Sequence, residues 1–310
     1  MNGNFVTLTP QVNRTSAFHK KLQELDCTES HGFFLHDLES SQTEYHLFLP
    51  SSARICTVLF HGTGNDALFG WENLILDLLQ SGRAVLSFDL PGHGQNSSTL
   101  LSFESVLQGG DELFRSLVPH LPDVTSWEAI GYSLGALIAL DLALNEKMQW
   151  SRLVLIALPE EVSISPHFVL AESLSLCSAV FWQQLQSFGW SSALPAFGRF
   201  RRQRFPIRLQ PSLSLSYPAF IAELFRQNTI EPRLHLLQVP TLFVYGSRDY
   251  LAKTAYGRSL HQRLGRSEFI EVPGANHFLL PLMPETRAAI LQWLSTPTSP
   301  CFPAGNSAPR

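Results

Sequence analysis

Charge is scarce in this chain. Of its 310 residues only 15% are Asp, Glu, Lys or Arg, with 26 acidic against 22 basic and a formal net charge of −4. Soluble globular domains ordinarily carry roughly 25%. A balance this small and slightly acidic argues against a dedicated nucleic-acid binder, which needs clustered positive charge to displace phosphate counterions. Long apolar runs are missing as well. A membrane-spanning helix needs roughly 20 consecutive apolar residues. The two best stretches, Ala136–Leu144 and Val169–Trp182, are shorter, and each holds an acid, Asp141 and Glu172. The opening MNGNFVTLTPQVNR has no basic segment leading into an apolar one, so no secretory signal is expected. Cysteine is rare: Cys27, Cys56, Cys177 and Cys301 are scattered, with no Cys-x-x-Cys pair and no Cys/His spacing that suits a metal. Free thiols in a reducing cytoplasm and no metal are the expectations that follow.

Apolar residues, by contrast, are plentiful. They make up 45% of the chain and include 22 Phe, enough to bury a large core and to exclude wholesale disorder. Without a spanning segment, the surplus must line something inside the molecule.

Strand and helix patterns alternate along most of the chain. His31–His36 (HGFFLH) and Glu44–Leu49 (EYHLFL) flank a polar ESSQ turn and suggest an opening hairpin. Ile55–Phe60, Ala84–Phe88, Trp127–Gly131, Arg152–Ala157 and Thr241–Tyr245 are short apolar runs of the kind that form strands buried on both faces, and Glu268–Val272 gives a last strand. Helical spacing is predicted over Gly70–Ser81, over Phe103–Leu121 (weakened by Gly109-Gly110), just after Gly135, over Lys253–Leu264 and over Pro284–Leu294. Such alternation implies a parallel sheet covered by helices. It breaks between Glu160 and His235, a stretch too long for an ordinary loop and mostly helical in pattern. The expected organisation is a discontinuous α/β core, residues 1–158 and 236–295, a helical cap over 159–235, and a Pro/Ser/Gly-rich disordered tail over 296–310. A cap inserted there sits on the carboxyl edge of the sheet, where open α/β sheets bind ligands.

The strongest local signal is Gly131-Tyr132-Ser133-Leu134-Gly135, placed between a strand and the helix-like ALIALDLAL. This is the context of a nucleophile elbow, a turn sharp enough to hold the serine hydroxyl above the sheet. Ser133 needs a base to become nucleophilic. His277, in the loop after the last strand, is the candidate, because that loop returns to the same carboxyl edge. The base in turn needs an acid to fix its tautomer and to stabilise the imidazolium. Asp249, after strand TLFVY, fits that place, and capping the following helix is its ordinary alternative.

FHGTG (Phe60–Gly64), FDLPGHG (Phe88–Gly94), GYSLG, YGSRD and GANH follow one another in this order. Together they resemble the α/β-hydrolase superfamily from about Phe33 to Leu294. The resemblance implies the α/β-hydrolase fold and a Ser133, Asp249, His277 triad, with an oxyanion hole from the backbone N–H groups of Leu134 and Thr63. It also implies supporting rather than catalytic roles for His61 and His93. Serine at the elbow departs from haloalkane dehalogenases and epoxide hydrolases, which use aspartate there. No nucleotide-binding loop is present and no cofactor is expected.

The substrate is expected to be a small molecule with an ester-like carbonyl and an apolar acyl or alcohol part, with thioesters and C–C bonds open to the same chemistry. The cap segment is rich in aromatic residues (Phe168, Phe181, Trp182, Phe188, Trp190, Phe197, Phe200, Phe205 and Phe220). Most should pack its own small core, leaving the rest to line a pocket. The run Arg199, Arg201, Arg202 and Arg204 is either a solvated face or an anion clamp. The alternative it raises is the SHCHC synthase of menaquinone biosynthesis, a lyase of this fold whose elbow continues Gly-Gly-Arg; here the chain reads Gly135-Ala136-Leu137. A non-catalytic, ligand-binding relative is the alternative from a different class.

Overall fold

The computed structural model describes residues 5–7, 17–36, 41–68, 70–97, 102–107, 110–145, 148–162, 174, 217–227 and 230–297. Most of the expected cap, with its arginine run and all its aromatic residues except Tyr217, Phe220 and Phe225, lies outside the described residues, as does the tail beyond residue 297.

Nine strands form one sheet among the described residues: β1 (Phe5–Thr7), β2 (Cys27–Leu35), β3 (Gln42–Pro50), β4 (Ile55–Phe60), β5 (Ala84–Phe88), β6 (Ser126–Tyr132), β7 (Trp150–Ile156), β8 (Thr241–Gly246) and β9 (Ser267–Val272). Their order is β1-β2-β3-β5-β4-β6-β7-β8-β9, antiparallel from β1 through β3 to β5 and parallel from β5 to β9. The helices are α1 (Ala17–Gln23), α2 (Glu72–Gln80), α3 (Phe103–Leu107), α4 (Asp111–Leu117), α5 (Leu134–Leu144), α6 (Tyr217–Gln227), α7 (Thr254–Arg263) and α8 (Pro284–Ser295).

Uniform apolarity and burial go together. Every residue of β5 and β8 is buried, and so is every residue of α5, a helix apolar on all sides. Burying one Leu or Ile side chain contributes about 1.5–3 kcal/mol, so this central layer carries much of the stability. It also absorbs part of the apolar surplus without any membrane span, and no helix among the described residues is long and apolar enough to cross one.

Two expectations need correction. The helix predicted over Phe103–Leu121 is divided into α3, α4 and a short 3-10 turn at Val118–His120. The division falls beside Gly110, one of the pair marked as weak: it adopts φ +92°, outside the helical region, and must be glycine because a Cβ there would lie 2.6 Å from the ring of Phe88. In addition, β1 and α1 carry too short a pattern to be read in advance. β1 has three residues, and α1 buries Phe18 and Leu22 on one face.

From β4 the chain crosses to β5 on one side and then returns to β6 on the other. The connections leaving β4 and β6 therefore diverge at their carboxyl ends. Such a switch point opens a crevice, and the stretch after β4 and the serine after β6 both reach it.

At the opposite end of these strands Glu128 is locked between two arginines. Arg83 Nε donates to Glu128 Oε2 at 2.8 Å and Thr57 Oγ1 donates to the same oxygen at 3.1 Å. Arg152, paired in register with Glu128 on β7, places its Nε 4.0 Å from Oε1. Both guanidinium groups also donate to carbonyls at the end of α8, Arg83 to Leu294 and Arg152 to Trp293. The cluster ties the C-terminal helix to the sheet.

Candidate active site

The elbow begins with steric necessity. α5 starts directly on the end of β6, so the chain reverses within one residue, and Ser133 takes φ +53° and ψ −112°. A non-glycine residue in this region costs of order 1–3 kcal/mol and persists only where its surroundings over-determine it. Here the Ser133 N–H donates to Ile156 O at 2.9 Å, and Ser133 O accepts from Ala136 N–H at 3.0 Å. Close approach decides the flanking residues. A Cβ on Gly135 would lie 2.0 Å from the carbonyl oxygen of Phe60, and one on Gly131 would lie 2.3 Å from the carbonyl oxygen of Gly135.

Asp249 and His277 reach the serine on loops that are knitted together. After β8, Ser247 N–H donates to Val272 O at 3.0 Å and Arg248 N–H to Ala275 O at 2.9 Å. The loops leaving β8 and β9 are therefore tied to each other by their main chains. His277 Nδ1 lies 2.8 Å from Asp249 Oδ2, and its Nε2 lies 3.0 Å from Ser133 Oγ. A carboxylate only accepts, so Nδ1 carries the proton and Nε2 presents a lone pair to the serine hydroxyl. Asp249 Oδ1 accepts from the N–H groups of Leu251 at 2.9 Å and Ala252 at 2.7 Å. The N-cap of α7 is Lys253, so Asp249 does not cap that helix; one of its oxygens braces the loop ahead of it and the other is left for the histidine. Both side chains are almost wholly buried, 3% exposed for His277 and 0% for Asp249.

Leu134 follows Ser133 directly, and Thr63 follows Gly62, whose backbone packs against the elbow. Leu134 is the first residue of α5, so its N–H has no acceptor within the helix. Thr63 lies in the turn after β4, half-buried, between Gly62 and a left-handed Gly64 at φ +80°. Gly62 packs so closely on the elbow that a Cβ on it would lie 2.7 Å from the ring of Tyr132.

His61 and His93 occupy supporting positions. Leu90 N–H donates to His61 Nε2 at 2.9 Å, and His61 Nδ1 donates to Gly62 O at 2.8 Å, so the neutral ring bridges the loops after β4 and β5. Burial depresses its pKa to about 4. His93 is driven lower, to about 3, first by burial and then by His61. Its ring meets the Tyr217 hydroxyl of α6, 3.2 Å from Nε2. Asp89 accepts from Ala67 N–H at 2.8 Å and Gln95 N–H at 2.6 Å, and burial still pushes its carboxyl well above the usual range.

One residue went unread in the sequence. The Tyr132 hydroxyl donates to His277 O at 2.9 Å, and its ring lies 5.3 Å from the imidazole. The only signal was its place inside the elbow motif, where periodicity says nothing about partners 145 residues away.

A model of the alpha/beta hydrolase family matches residues 57–290, from β4 to within α8. The chain belongs to the alpha/beta hydrolase family. Among curated relatives, this hydrolase is 27% identical over 207 residues to RutD of Klebsiella pneumoniae, whose name assigns it to carbamate hydrolysis; the match covers 62% of this chain and 74% of that one. RutD of Escherichia coli O103:H2 is 27% identical over 252 residues, covering 76% of this chain and 88% of the relative. Among solved structures, the thioesterase domain from the curacin biosynthetic pathway superposes with a TM-score of 0.60 at 19% identity, covering 87% of this chain and all of that one (100%). The monoacylglycerol lipase of Paleococcus ferrophilus superposes with a TM-score of 0.57 at 20% identity, covering 81% and 98%. These two likenesses bear on the fold.

Proposed function

We propose that this hydrolase cleaves a small carboxylic ester or thioester with an apolar acyl or alcohol part, through an acyl-enzyme on Ser133. The observation that carries this reading is the continuous chain Ser133 Oγ, His277, Asp249, at 3.0 and 2.8 Å, anchored on a strained elbow. His277 takes the serine proton as Oγ attacks the carbonyl carbon, then returns it to the leaving group. Water, deprotonated by the same ring, releases the acyl group. Asp249 holds the ring in register and stabilises the imidazolium. The N–H groups of Leu134 and Thr63 receive the oxyanion, where one donor is worth about 2.7–4 kcal/mol. The segment 159–235 forms the cap that selects the apolar group. No step draws on a metal or a cofactor.

A carbamate presents the same carbonyl to the same serine, and the likeness to RutD supports including it among the substrates. The test has two stages. A fluorophosphonate probe should label the purified protein, with labelling abolished in Ser133→Ala; folded wild-type protein that resists the probe sinks the hydrolase mechanism and favours a ligand-binding role. A panel of p-nitrophenyl esters, acyl thioesters and aryl carbamates then ranks substrates. Inert esters alongside turnover of the menaquinone intermediate would transfer the assignment to the lyase reading.

A further inference from the structure

The β2–β3 hairpin carries a second cluster of chemistry-bearing side chains, on elements that contribute nothing to the serine site. Register puts it together: His31 pairs directly with His46, and Phe33 with Glu44, so Glu29, His31, Glu44 and His46 alternate onto one face of the two strands. His31 Nε2 lies 2.6 Å from Glu44 Oε1, and His46 Nε2 lies 3.9 Å from the same oxygen. One ligand atom from each of these three residues falls within 4.8 Å of the other two. The imidazole rings are parallel, 4.3 Å apart. Beyond them Glu29 Oε1 sits 4.0 Å from Nδ1 of His46.

We propose that His31, His46 and Glu44 form a binding site for a divalent transition-metal ion of the zinc class, with Glu29 orienting His46. Two imidazoles and one carboxylate are a borderline-soft donor set that suits Zn²⁺ and its neighbours better than Mg²⁺ or Ca²⁺. Around a tetrahedral ion with ligands at about 2.0–2.1 Å, donor atoms lie roughly 3.3 Å apart. The separations of 2.6 and 3.9 Å bracket that value, so small side-chain rotations admit the ion. Glu29 faces the far nitrogen of His46, the place of the carboxylate that commonly fixes the tautomer of a ligating histidine. Phe48 closes the inner side, its ring 6.3 Å from that of His46, while His31 and Glu44 are 13% and 20% exposed and leave a route for the ion. Sequence spacing hides the cluster because the ligands come from two strands and meet only through their register.

The ion braces the antiparallel edge of the sheet. Its expected effect is therefore on stability, leaving turnover at the serine site unchanged. The full-length protein, stripped with EDTA and desalted, is titrated calorimetrically with ZnSO₄ and separately with MgCl₂. One equivalent of Zn²⁺ should bind saturably, Mg²⁺ should not, and saturating Zn²⁺ should raise Tm by about 5 °C. His31→Ala and His46→Ala should each weaken binding at least ~100-fold, and Glu29→Gln about 10-fold. His277→Ala should leave the equivalent intact. Absence of saturable Zn²⁺ binding overturns the proposal, as does an equivalent that survives His46→Ala or disappears in His277→Ala. Should the hairpin variants fail to fold, Co²⁺ added to the stripped wild-type protein decides. Intense visible bands displaced by Zn²⁺ support a nitrogen-ligated tetrahedral site, and the weak spectrum of the hydrated ion refutes it.

Discussion

Two buried polar clusters stand at opposite ends of the same strands. Ser133, His277 and Asp249 gather beyond the carboxyl ends of β6, β8 and β9; Arg83, Glu128 and Arg152 gather near the amino ends of β5, β6 and β7. All six residues are at most 7% exposed, so burial does not tell them apart. Their partners do. The arginines spend donors on Glu128 and on main-chain carbonyls at the end of α8, an arrangement that ties elements together. At the carboxyl edge each group passes its hydrogen bond to the next and the sequence ends on a serine hydroxyl, held at a strained φ beside a helix start. A buried cluster that ends on a reactive atom is built for chemistry; one that ends on main-chain carbonyls is built to hold.

The contrast can be broken in either direction. Asp249→Asn should lower kcat/KM roughly 10⁴-fold through the wrong histidine tautomer, with Tm little changed because Oδ1 remains to accept from Leu251 and Ala252. Ester kinetics and a thermal melt on one preparation check both halves; near-wild-type turnover would remove Asp249 from the mechanism. Glu128→Gln should do the reverse. Taking the charge from between two buried arginines costs about 3–5 kcal/mol, read as a lower urea midpoint, while kcat of the folded fraction stays within twofold.

Acid separates the two ends more gently. His61 and His93 titrate at about 4 and about 3 in the fold, against roughly 6.5 in an unfolded chain. Between those values the unfolded state binds protons that the native state refuses. Stability is therefore fully present above about pH 6.5 and is lost as pH falls towards 4 and then 3. Unfolding free energies from urea titrations at pH 7 and pH 4.5 should differ by a few kcal/mol in that direction, and a flat profile would mean that these rings accept protons in place. The smallest effect belongs to Tyr132→Phe. Losing the hydrogen bond to His277 O removes about 0.5–1.5 kcal/mol of support, expected as a three- to tenfold fall in kcat with KM unchanged.

Legibility tracked the range of the interaction. β4 and β5 run from end to end as their apolar stretches do, and β6 to β8 begin and end within a residue or two of expectation, because a strand buried on both faces announces itself in consecutive residues. Ser133 stood out because the strain of its turn demands glycines at fixed offsets. His277 and Asp249 were readable from their places after strands. Tyr132 was not, since its partner lies far along the chain, and neither was the cross-strand set of His31, Glu44 and His46. The break before α4 was half legible in Gly109-Gly110, while the close approach of the Phe88 ring to Gly110 comes from another element.

The amino-acid sequence by itself determined the class of fold, the alternation of buried strands with helices and the elbow around Ser133. Those features are written in neighbouring residues, whose spacing and steric demands are local. Only the tertiary structure decided which polar groups meet. The distance between Ser133 and His277, the neutral state of His61, the closed lock on Glu128 and the register of His31 with His46 all depend on how separate strands align. Hydrogen bonds and burial act over a few ångströms in space, regardless of how many residues of chain lie between.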